Sequence, residues 1–241
     1  MDFGLYVIIT EPLLPYGKVA EICVKHNIKF LQLREKEKDD RELLKIAREI
    51  KSITKDSETK FIINDRADIC LLSDADGLHL GQEDISFEEA KQILPKDKIV
   101  GISTHNLEQV KKAAISPAGN AGILPTGNAG ILPASSINAG KMPAFPEDKM
   151  PTLLPDYIGF GPIYKTPTKK RPDPVVGCEL LRQILTISQI PVVAIGGIDE
   201  NNILEVLKAG AKNVCMVRDL MKTIDFEKKI IKINDIIRSY I

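Results

Sequence analysis

Two aspartates, Asp65 and Asp84, each follow a short apolar run and could share a divalent metal ion. A hard ion such as Mg²⁺ prefers carboxylate oxygens and usually also binds substrate phosphates. An aspartate at such a position often caps a helix instead, and an apolar helical pattern does begin after Asp65. The metal interpretation therefore depends on the residues that accompany the pair.

Positive side chains follow other apolar runs of the same kind: Arg34 and Lys36 after one, Lys169 and Lys170 after another. An Arg guanidinium can bind a phosphate through two parallel hydrogen bonds, and a Lys ammonium acts as a compact charge. Lysine runs more often form a solvated surface. Beside two carboxylates, however, four cations fit a metal-bound diphosphate.

A second phosphate site is indicated by Gly196 and Gly197, which directly follow a strand-like run. Adjacent glycines let the backbone approach a ligand closely and leave N–H groups free to bind phosphate. They can equally serve only a tight turn. Ser103 and Thr168 could donate hydroxyl hydrogen bonds to phosphate oxygens.

The elements that would position these residues alternate between strands and helices. Short apolar runs separated by helical periods predict a parallel sheet with crossover helices. Eight such units in 241 residues predict a single-domain (β/α)8 TIM barrel, with an open doubly wound sheet as the weaker alternative. The predicted strands are 5–10, 30–34, 61–64, 77–80, 99–103, 157–161, 192–195 and 214–217. In such a barrel the residues that follow each strand meet at one rim, where active sites lie.

Residues 117–155 interrupt this alternation with low-complexity repeats. The unit NAGILPTG is followed by NAGILPAS, and KMPAFPED by KMPTLLPD. The segment holds seven of the fifteen prolines and only four charged residues, a composition that excludes a regular helix or central strand. We interpret it as an insertion between the fifth helix and the sixth strand. A surface loop is favoured, because loop length adds little closure entropy; a lid or partner-binding loop is the alternative.

Charge and motifs exclude several classes of function. Thirty-three basic and thirty-three acidic residues give a net charge of zero, so no overall field favours nucleic acid or an anionic membrane. The sequence contains no P-loop, dinucleotide fingerprint or nucleophile elbow. We predict a cytoplasmic protein without a transmembrane segment or secretory signal. The oligomeric state stays open, and a homo-oligomer is allowed.

The cysteines and histidines are expected to be structural. The four cysteines form no CxxC pair and sit among apolar neighbours, which is typical of reduced core thiols. His26 and His79 fall within packed elements and are interpreted as structural, and His105 is assigned no role.

The rim motifs, in their order along the chain, resemble the thiamine phosphate synthase family: QLREK, IINDR, DGLHLGQED, GISTH, GFGPIYKTPTKK and AIGGI. The resemblance covers residues 5–112 and 156–220 and leaves the repeat segment without a counterpart. Members of that family are (β/α)8 barrels that join 4-amino-2-methyl-5-hydroxymethylpyrimidine diphosphate to thiazole phosphate, using Mg²⁺ and releasing pyrophosphate. The resemblance implies a transferase of thiamine biosynthesis whose partners are these two small molecules, with no nucleic acid or membrane partner.

The resemblance also implies roles for individual residues, including Asp65 and Asp84 as Mg²⁺ ligands. The pyrimidine diphosphate would contact Gln32, Leu33, Arg34, Glu35, Lys36, Asn64, Ser103 and Lys169, of which Arg34, Lys36, Ser103 and Lys169 would be catalytic. The thiazole phosphate would contact Thr166, Pro167, Thr168, Gly197, Val217 and Arg218. Arg218 departs from the family pattern, since many relatives carry serine there.

Two other functions stay open at the level of sequence. A thiazole tautomerase of the same fold needs neither the QLREK cluster nor the TPTK loop, and both are present here. Its catalytic histidine would fall where this chain has Gly161 and Pro162. The other is a non-catalytic phosphate-binding barrel damaged by the insertion, in which Thr166, Thr168 and Lys169 would be displaced from the rim.

Overall fold

The structure is a computed structural model that describes residues 2–114, 154–166 and 173–240. Within these residues, eight strands form one parallel sheet, each strand paired with the next in sequence and the last paired with the first. They are β1 (Gly4–Ile9), β2 (Phe30–Leu33), β3 (Lys60–Asn64), β4 (Gly77–Leu80), β5 (Ile99–Thr104), β6 (Tyr157–Phe160), β7 (Val192–Ala194) and β8 (Asn213–Met216). The closed ring confirms the predicted (β/α)8 barrel and excludes the open sheet.

Helices follow each strand and cover the outside of the barrel. They are α1 (Tyr16–Lys25), α2 (Asp40–Thr54), α3 (Ala67–Leu72), α4 (Phe87–Ile93), α5 (Leu107–Ala114), α6 (Gly177–Ile187), α7 (Ile203–Lys208), α8 (Arg218–Met221) and α9 (Phe226–Tyr240). Local chemistry fixes where some of them begin. The Asp39 carboxylate accepts a hydrogen bond from Glu42 N at 2.9 Å before α2, and Ser86 and Glu89 form a capping box at α4.

Alternation along the strands divides the apolar side chains into two layers. Residues such as Val7 and Ile9 face outward and pack beneath the helices. Tyr6, Phe30 and Tyr157 face inward and fill the barrel near the amino ends of the strands. With that end packed, the opposite rim is left for binding, as in other barrels of this type.

The repeat segment lies where the sequence predicts. Helix α5 ends at Ala114 and β6 begins at Tyr157, so the repeats fall between these two elements. Residues 115–153 lie outside the described part of the chain, and whether the segment is a surface loop or a lid stays a prediction.

Within the described ranges, none of the helices combines the length and apolar character needed to cross a membrane. All four cysteines are free thiols; Cys23, Cys70 and Cys215 are buried as expected, whereas Cys178 is half-buried. Burial raises the pKa of the Cys70 thiol to about 12, which keeps it protonated and unreactive.

Candidate active site

A pair of carboxylates lies at the rim formed by the carboxyl ends of the strands. Asp65 follows β3 with a left-handed backbone (φ 62°), and its N–H donates to His79 O at 2.8 Å. Its Oδ2 lies 3.0 Å from Lys36 Nζ, and its carboxylate is within hydrogen-bonding reach of Asp84. Helix α3 begins after Arg66, with no side-chain cap. The interpretation of Asp65 as a helix cap is therefore wrong.

The electrostatics of this pair favour a cation. Burial, followed by the hydrogen bond and negative charge of Asp65, raises the pKa of Asp84 against the opposing effects of the Gly81 N–H and Lys36. The Gly81 N–H donates to Asp84 Oδ2 at 2.6 Å and fixes that carboxylate. Two adjacent carboxylates destabilise one another unless a cation or proton lies between them.

These oxygen ligands fit Mg²⁺. Residues 2–114, 154–166 and 173–240 contain no group of three or more His, Cys, Asp or Glu side chains arranged to hold a metal. One or two carboxylates suffice for Mg²⁺, because the ion completes its octahedral coordination with water and substrate phosphate. Asp65 and Asp84 could thus hold a metal that arrives together with a phosphorylated ligand.

A chain of side-chain hydrogen bonds crosses the barrel interior below this rim. Ser103 Oγ lies 2.9 Å from His79 Nε2, and His79 Nδ1 lies 3.0 Å from the Tyr157 hydroxyl. The Tyr157 hydroxyl contacts the Tyr6 hydroxyl at 2.8 Å, and Gln32 Nε2 donates to Tyr6 at 2.8 Å. The chain joins Ser103 on β5 to Gln32 on β2, two residues predicted to contact the pyrimidine diphosphate.

Other predicted residues of that substrate site lie near these groups in the sheet. Asn64 ends β3 and is in register with His79 on β4. Arg34 is half-buried directly after β2, where its N–H donates to Ile9 O at 2.9 Å. Gln82, on the loop that carries Asp84, donates to Ser103 O at 2.5 Å and ties that loop to the end of β5.

Two predicted substrate residues have side chains engaged elsewhere. Leu33 is buried in the layer between the barrel and the helices, so only its backbone could reach a ligand at the rim. Glu35 Oε1 accepts hydrogen bonds from Glu11 N at 2.6 Å and from the Tyr16 hydroxyl at 2.7 Å. These contacts bind Glu35 to the loop between β1 and α1.

The predicted thiazole phosphate site lies on the opposite part of the rim. Gly196 and Gly197 have positive φ, 98° and 67°. A Cβ at Gly197 would lie 2.7 Å from Lys165 O, so the loop after β6 packs directly on this glycine. Val217 precedes α8 and Arg218 begins it, with its side chain exposed. Thr166 is half-buried at the end of a described range, whereas Pro167, Thr168, Lys169 and Lys170 lie outside the described residues.

The position of His79 at the site was not predicted from the sequence. The side chain of His79 points into the barrel and contacts Ser103, so treating it only as a packed residue was incomplete. Its place two residues after Gly77 puts both on the inward face of β4, a signal available from the period of two in strands. His26 is structural as expected, since its Nε2 lies 2.8 Å from Glu227 on α9.

His105, to which the sequence analysis assigned no role, connects β5 with the segment before α6. Its Nδ1 lies 2.6 Å from Gly161 O, and its Nε2 lies 3.5 Å from Asp173 Oδ2. These contacts join the loop after β5 to both ends of the β6–α6 connection. Neither Gly161 nor Asp173 is among the predicted ligand-binding residues.

Comparison with known proteins places the chain in a family. The family model described as thiamine monophosphate synthase matches residues 5–126 and 148–220. The thiamine-phosphate synthase of Caldicellulosiruptor saccharolyticus is 36% identical over 92% of this chain and 84% of its own length. That of Persephonella marina is 34% identical over 100% of this chain and 98% of its own length.

A solved structure agrees with these sequence relatives. The thiamine phosphate pyrophosphorylase of Pyrococcus furiosus superposes with a TM-score of 0.75 at 28% identity, covering 99% of this chain and 97% of that one. The match in sequence and in fold extends over nearly the whole chain. The chain belongs to the thiamine monophosphate synthase family.

Proposed function

We propose that this barrel joins 4-amino-2-methyl-5-hydroxymethylpyrimidine diphosphate to thiazole phosphate in the cytoplasm, by a dissociative reaction that releases pyrophosphate and forms thiamine phosphate. Family membership supports the transferase activity. The observation that carries the mechanism is the cluster of Lys36, Asp65 and Asp84, in which an ammonium and two carboxylates meet at the rim. This cluster has the charges needed to bind a metal diphosphate.

Asp65 and Asp84 are the residues proposed to hold Mg²⁺. The bound ion would supply positive charge to the diphosphate and stabilise the pyrophosphate as it leaves. The Gly81 N–H, by fixing Asp84, and the His79 carbonyl, by fixing the Asp65 backbone, keep both carboxylates at the rim. Preorganisation of this kind reduces the rearrangement needed when the ligand binds.

The cations and hydroxyl of the same part of the rim are proposed to act on the leaving group. As the C–O bond breaks, both electrons leave with the pyrophosphate, and Lys36, Arg34 and Lys169 stabilise the negative charge that develops there. Ser103 donates a hydrogen bond to a phosphate oxygen. Gln32 and Asn64 orient the pyrimidine ring, and the Leu33 and Glu35 segment contributes its backbone.

The second substrate completes the reaction from the opposite part of the rim. Thr166, Pro167, Thr168, Gly197, Val217 and Arg218 are proposed to bind the thiazole phosphate. Its ring nitrogen then attacks the pyrimidine carbocation and forms the new C–N bond, so no protein nucleophile takes part. The residues of this site therefore act by positioning the two substrates and excluding water.

The direct test is thiamine phosphate formation by the purified protein from the two phosphorylated substrates, with and without Mg²⁺. We expect product only with the metal. Asp65→Asn and Lys169→Ala should each lower turnover by about 100-fold or more, while the midpoint of thermal unfolding changes little. Near-normal turnover in either variant would contradict its proposed role.

Two further outcomes would identify the alternatives. A folded protein that isomerises the thiazole substrate but forms no thiamine phosphate would be a tautomerase. A folded protein that binds pyrophosphate tightly without turnover would be a barrel impaired by the repeat segment, and deletion of residues 117–153 should then restore activity.

A further inference from the structure

The five side chains that cross the barrel interior form a series of hydrogen bonds with one donor and one acceptor at each step. Gln32 contacts Tyr6, Tyr6 contacts Tyr157, Tyr157 contacts His79, and His79 contacts Ser103. Each hydroxyl has one proton and two acceptor lone pairs, so every proton finds an acceptor within the series only when all the bonds run in the same direction.

The direction follows from the amide of Gln32. Its Nε2 can only donate, so Tyr6 accepts this bond, and the Tyr6 proton then has the Tyr157 hydroxyl as its acceptor within the series. Tyr157 then donates to His79 Nδ1, which leaves the proton of the neutral imidazole on Nε2, from where it is donated to Ser103 Oγ. Burial raises the pKa of the Tyr6 and Tyr157 hydroxyls well above its usual value, so both keep the protons that this series uses.

We propose that Tyr6, Tyr157 and His79 are positioning residues of a polarised hydrogen-bond chain that sets Gln32 as an acceptor and Ser103 as a donor toward the substrate at the same time. This inference rests on the proposed function, in which Gln32 and Ser103 contact the pyrimidine diphosphate. It adds three residues to the site, none of which needs to touch the substrate.

The two ends of the hydrogen-bond series, Gln32 and Ser103, offer this substrate an acceptor and a donor. Ser103 accepts from His79, so its own proton is available to a phosphate oxygen, which can only accept. At the other end, Gln32 Oε1 is buried and, among the described residues, has no hydrogen-bond partner. A buried acceptor without a partner is destabilising until a donor reaches it, and an amino group on the pyrimidine ring would supply one.

Reversal of the hydrogen-bond series would exchange donor and acceptor at both of its ends. With the Gln32 amide turned by 180°, Tyr6 would donate to it and every later bond would reverse, so that Ser103 would donate to His79 Nε2. Ser103 would then present lone pairs to the phosphate, and Gln32 an NH₂ group to the amino group of the ring. Both contacts would be repulsive, so the diphosphate and the ring amine favour the same polarity.

Small residues on neighbouring strands leave room for this chain. A Cβ at Gly101 would lie 2.1 Å from Tyr157 Cζ, and a Cβ at Gly159 would lie 3.5 Å from His79 Cε1. The Tyr157 and His79 rings stack with centroids 5.5 Å apart. The rings are thus held in place by packing as well as by hydrogen bonds.

The protonation of His79 tests the polarity without any substrate. Long-range ¹H–¹⁵N correlation spectra of the full chain, labelled with ¹⁵N in its three histidine rings, report which nitrogen carries the proton. We expect the Nε2–H tautomer for His79, assigned by loss of its signals in His79→Gln. In Tyr157→Phe the Nδ1 resonance should move toward that of a nitrogen without a hydrogen bond, and in Tyr6→Phe it should move much less. An Nδ1–H or doubly protonated ring in the unsubstituted protein would overturn the proposal.

Kinetics test the link to the substrate. Tyr157→Phe should raise KM for the pyrimidine diphosphate about tenfold and leave KM for the thiazole phosphate unchanged. Thr104→Val is the matched control, because it removes a buried hydroxyl that does not belong to the hydrogen-bond series. The Thr104 hydroxyl donates to Gly159 O at 3.0 Å. This substitution should change neither KM. Equal changes in both KM values for Tyr157→Phe, or none in either, would overturn the proposal.

The two measurements separate this inference from the proposed function. If the protein forms no thiamine phosphate, the function fails whatever the spectra show. If it forms product while His79 carries its proton on Nδ1, the function stands and the polarised chain is wrong.

Discussion

Lys36 Nζ lies 3.0 Å from Asp65 Oδ2, so a cation proposed to bind the diphosphate is paired with a carboxylate proposed to bind the metal. The ammonium and a divalent ion compete for the same negative charge, whereas the ammonium and the diphosphate attract one another. We therefore expect Lys36 to oppose binding of the metal alone and to favour binding of the metal diphosphate.

Substitution of Lys36 should change the affinities for Mg²⁺ alone and for pyrophosphate with Mg²⁺ in opposite directions. We expect Lys36→Gln to strengthen binding of Mg²⁺ alone by up to about fivefold, since an exposed ion pair contributes at most about 1 kcal/mol. The same variant should weaken binding of pyrophosphate with Mg²⁺ by about tenfold or more. Isothermal titration calorimetry measures both. Lys38→Gln is the control, because Lys38 pairs with Glu42 instead, and weaker binding of both ligands in Lys36→Gln would contradict the competition.

Asp84 should destabilise the folded protein near neutral pH. Its pKa is raised in the folded state by burial and by Asp65, so the proton binds more tightly to the folded than to the unfolded chain. The stability contributed by protonated Asp84 is then fully present below the pKa that Asp84 has in the unfolded chain. It is lost as pH rises through the higher pKa that Asp84 has in the folded protein. Asp84→Asn should therefore raise the midpoint of thermal unfolding by about 1–3 °C near pH 7 and change it little below about pH 3.

A carboxylate with the opposite shift provides the control for Asp84. Lys98 lowers the pKa of Asp74 through a hydrogen bond of 2.7 Å. Asp74→Asn should therefore lower the unfolding midpoint near pH 7, and this loss should disappear as pH falls. A lower midpoint near pH 7 for Asp84→Asn would show that the carboxylate pair is not repulsive.

Glu35 is expected to anchor the loop after β1. Because Glu35 Oε1 accepts from both Glu11 N and the Tyr16 hydroxyl, Glu35→Ala should lower the free energy of unfolding by about 1–2 kcal/mol. Tyr16→Phe should have about half that effect, and the two should be less than additive because they share one bond. Urea unfolding measures these differences. Glu35→Gln keeps an acceptor oxygen; a large fall in its kcat/KM would show that the carboxylate charge acts on the substrate after all.

The barrel itself could be predicted from the sequence with few errors. The eight apolar runs are buried strands, so their bounds agree with the structure to within one residue at each end. Hydrophobic periodicity reports burial directly, and in a closed parallel barrel every strand is buried on both faces.

The contacts within the site could not be predicted in the same way. That Asp65 and Asp84 meet depends on a left-handed backbone at Asp65, which no local pattern required. The engagement of Glu35 with Tyr16 depends on how α1 packs, and spacing along the chain carries no information about it. The path from Gln32 to Ser103 links side chains that are distant in sequence, so it follows only from the closure of the barrel.

Gly197 provides the sharpest test of the proposed thiazole phosphate site, because the chain contains a matched glycine elsewhere. Gly197 has φ 67° and would place a Cβ 2.7 Å from Lys165 O, whereas Gly177 has φ 72° and nothing within 4 Å of its Cβ position. Both Gly→Ala variants should lose about 1 kcal/mol of stability from the left-handed backbone. Only Gly197→Ala must also displace the loop after β6, so it alone should raise KM for the thiazole phosphate, by about tenfold or more. Steady-state kinetics with each substrate varied in turn measures this. An unchanged KM in Gly197→Ala, or an equal rise in Gly177→Ala, would remove Gly197 from the site.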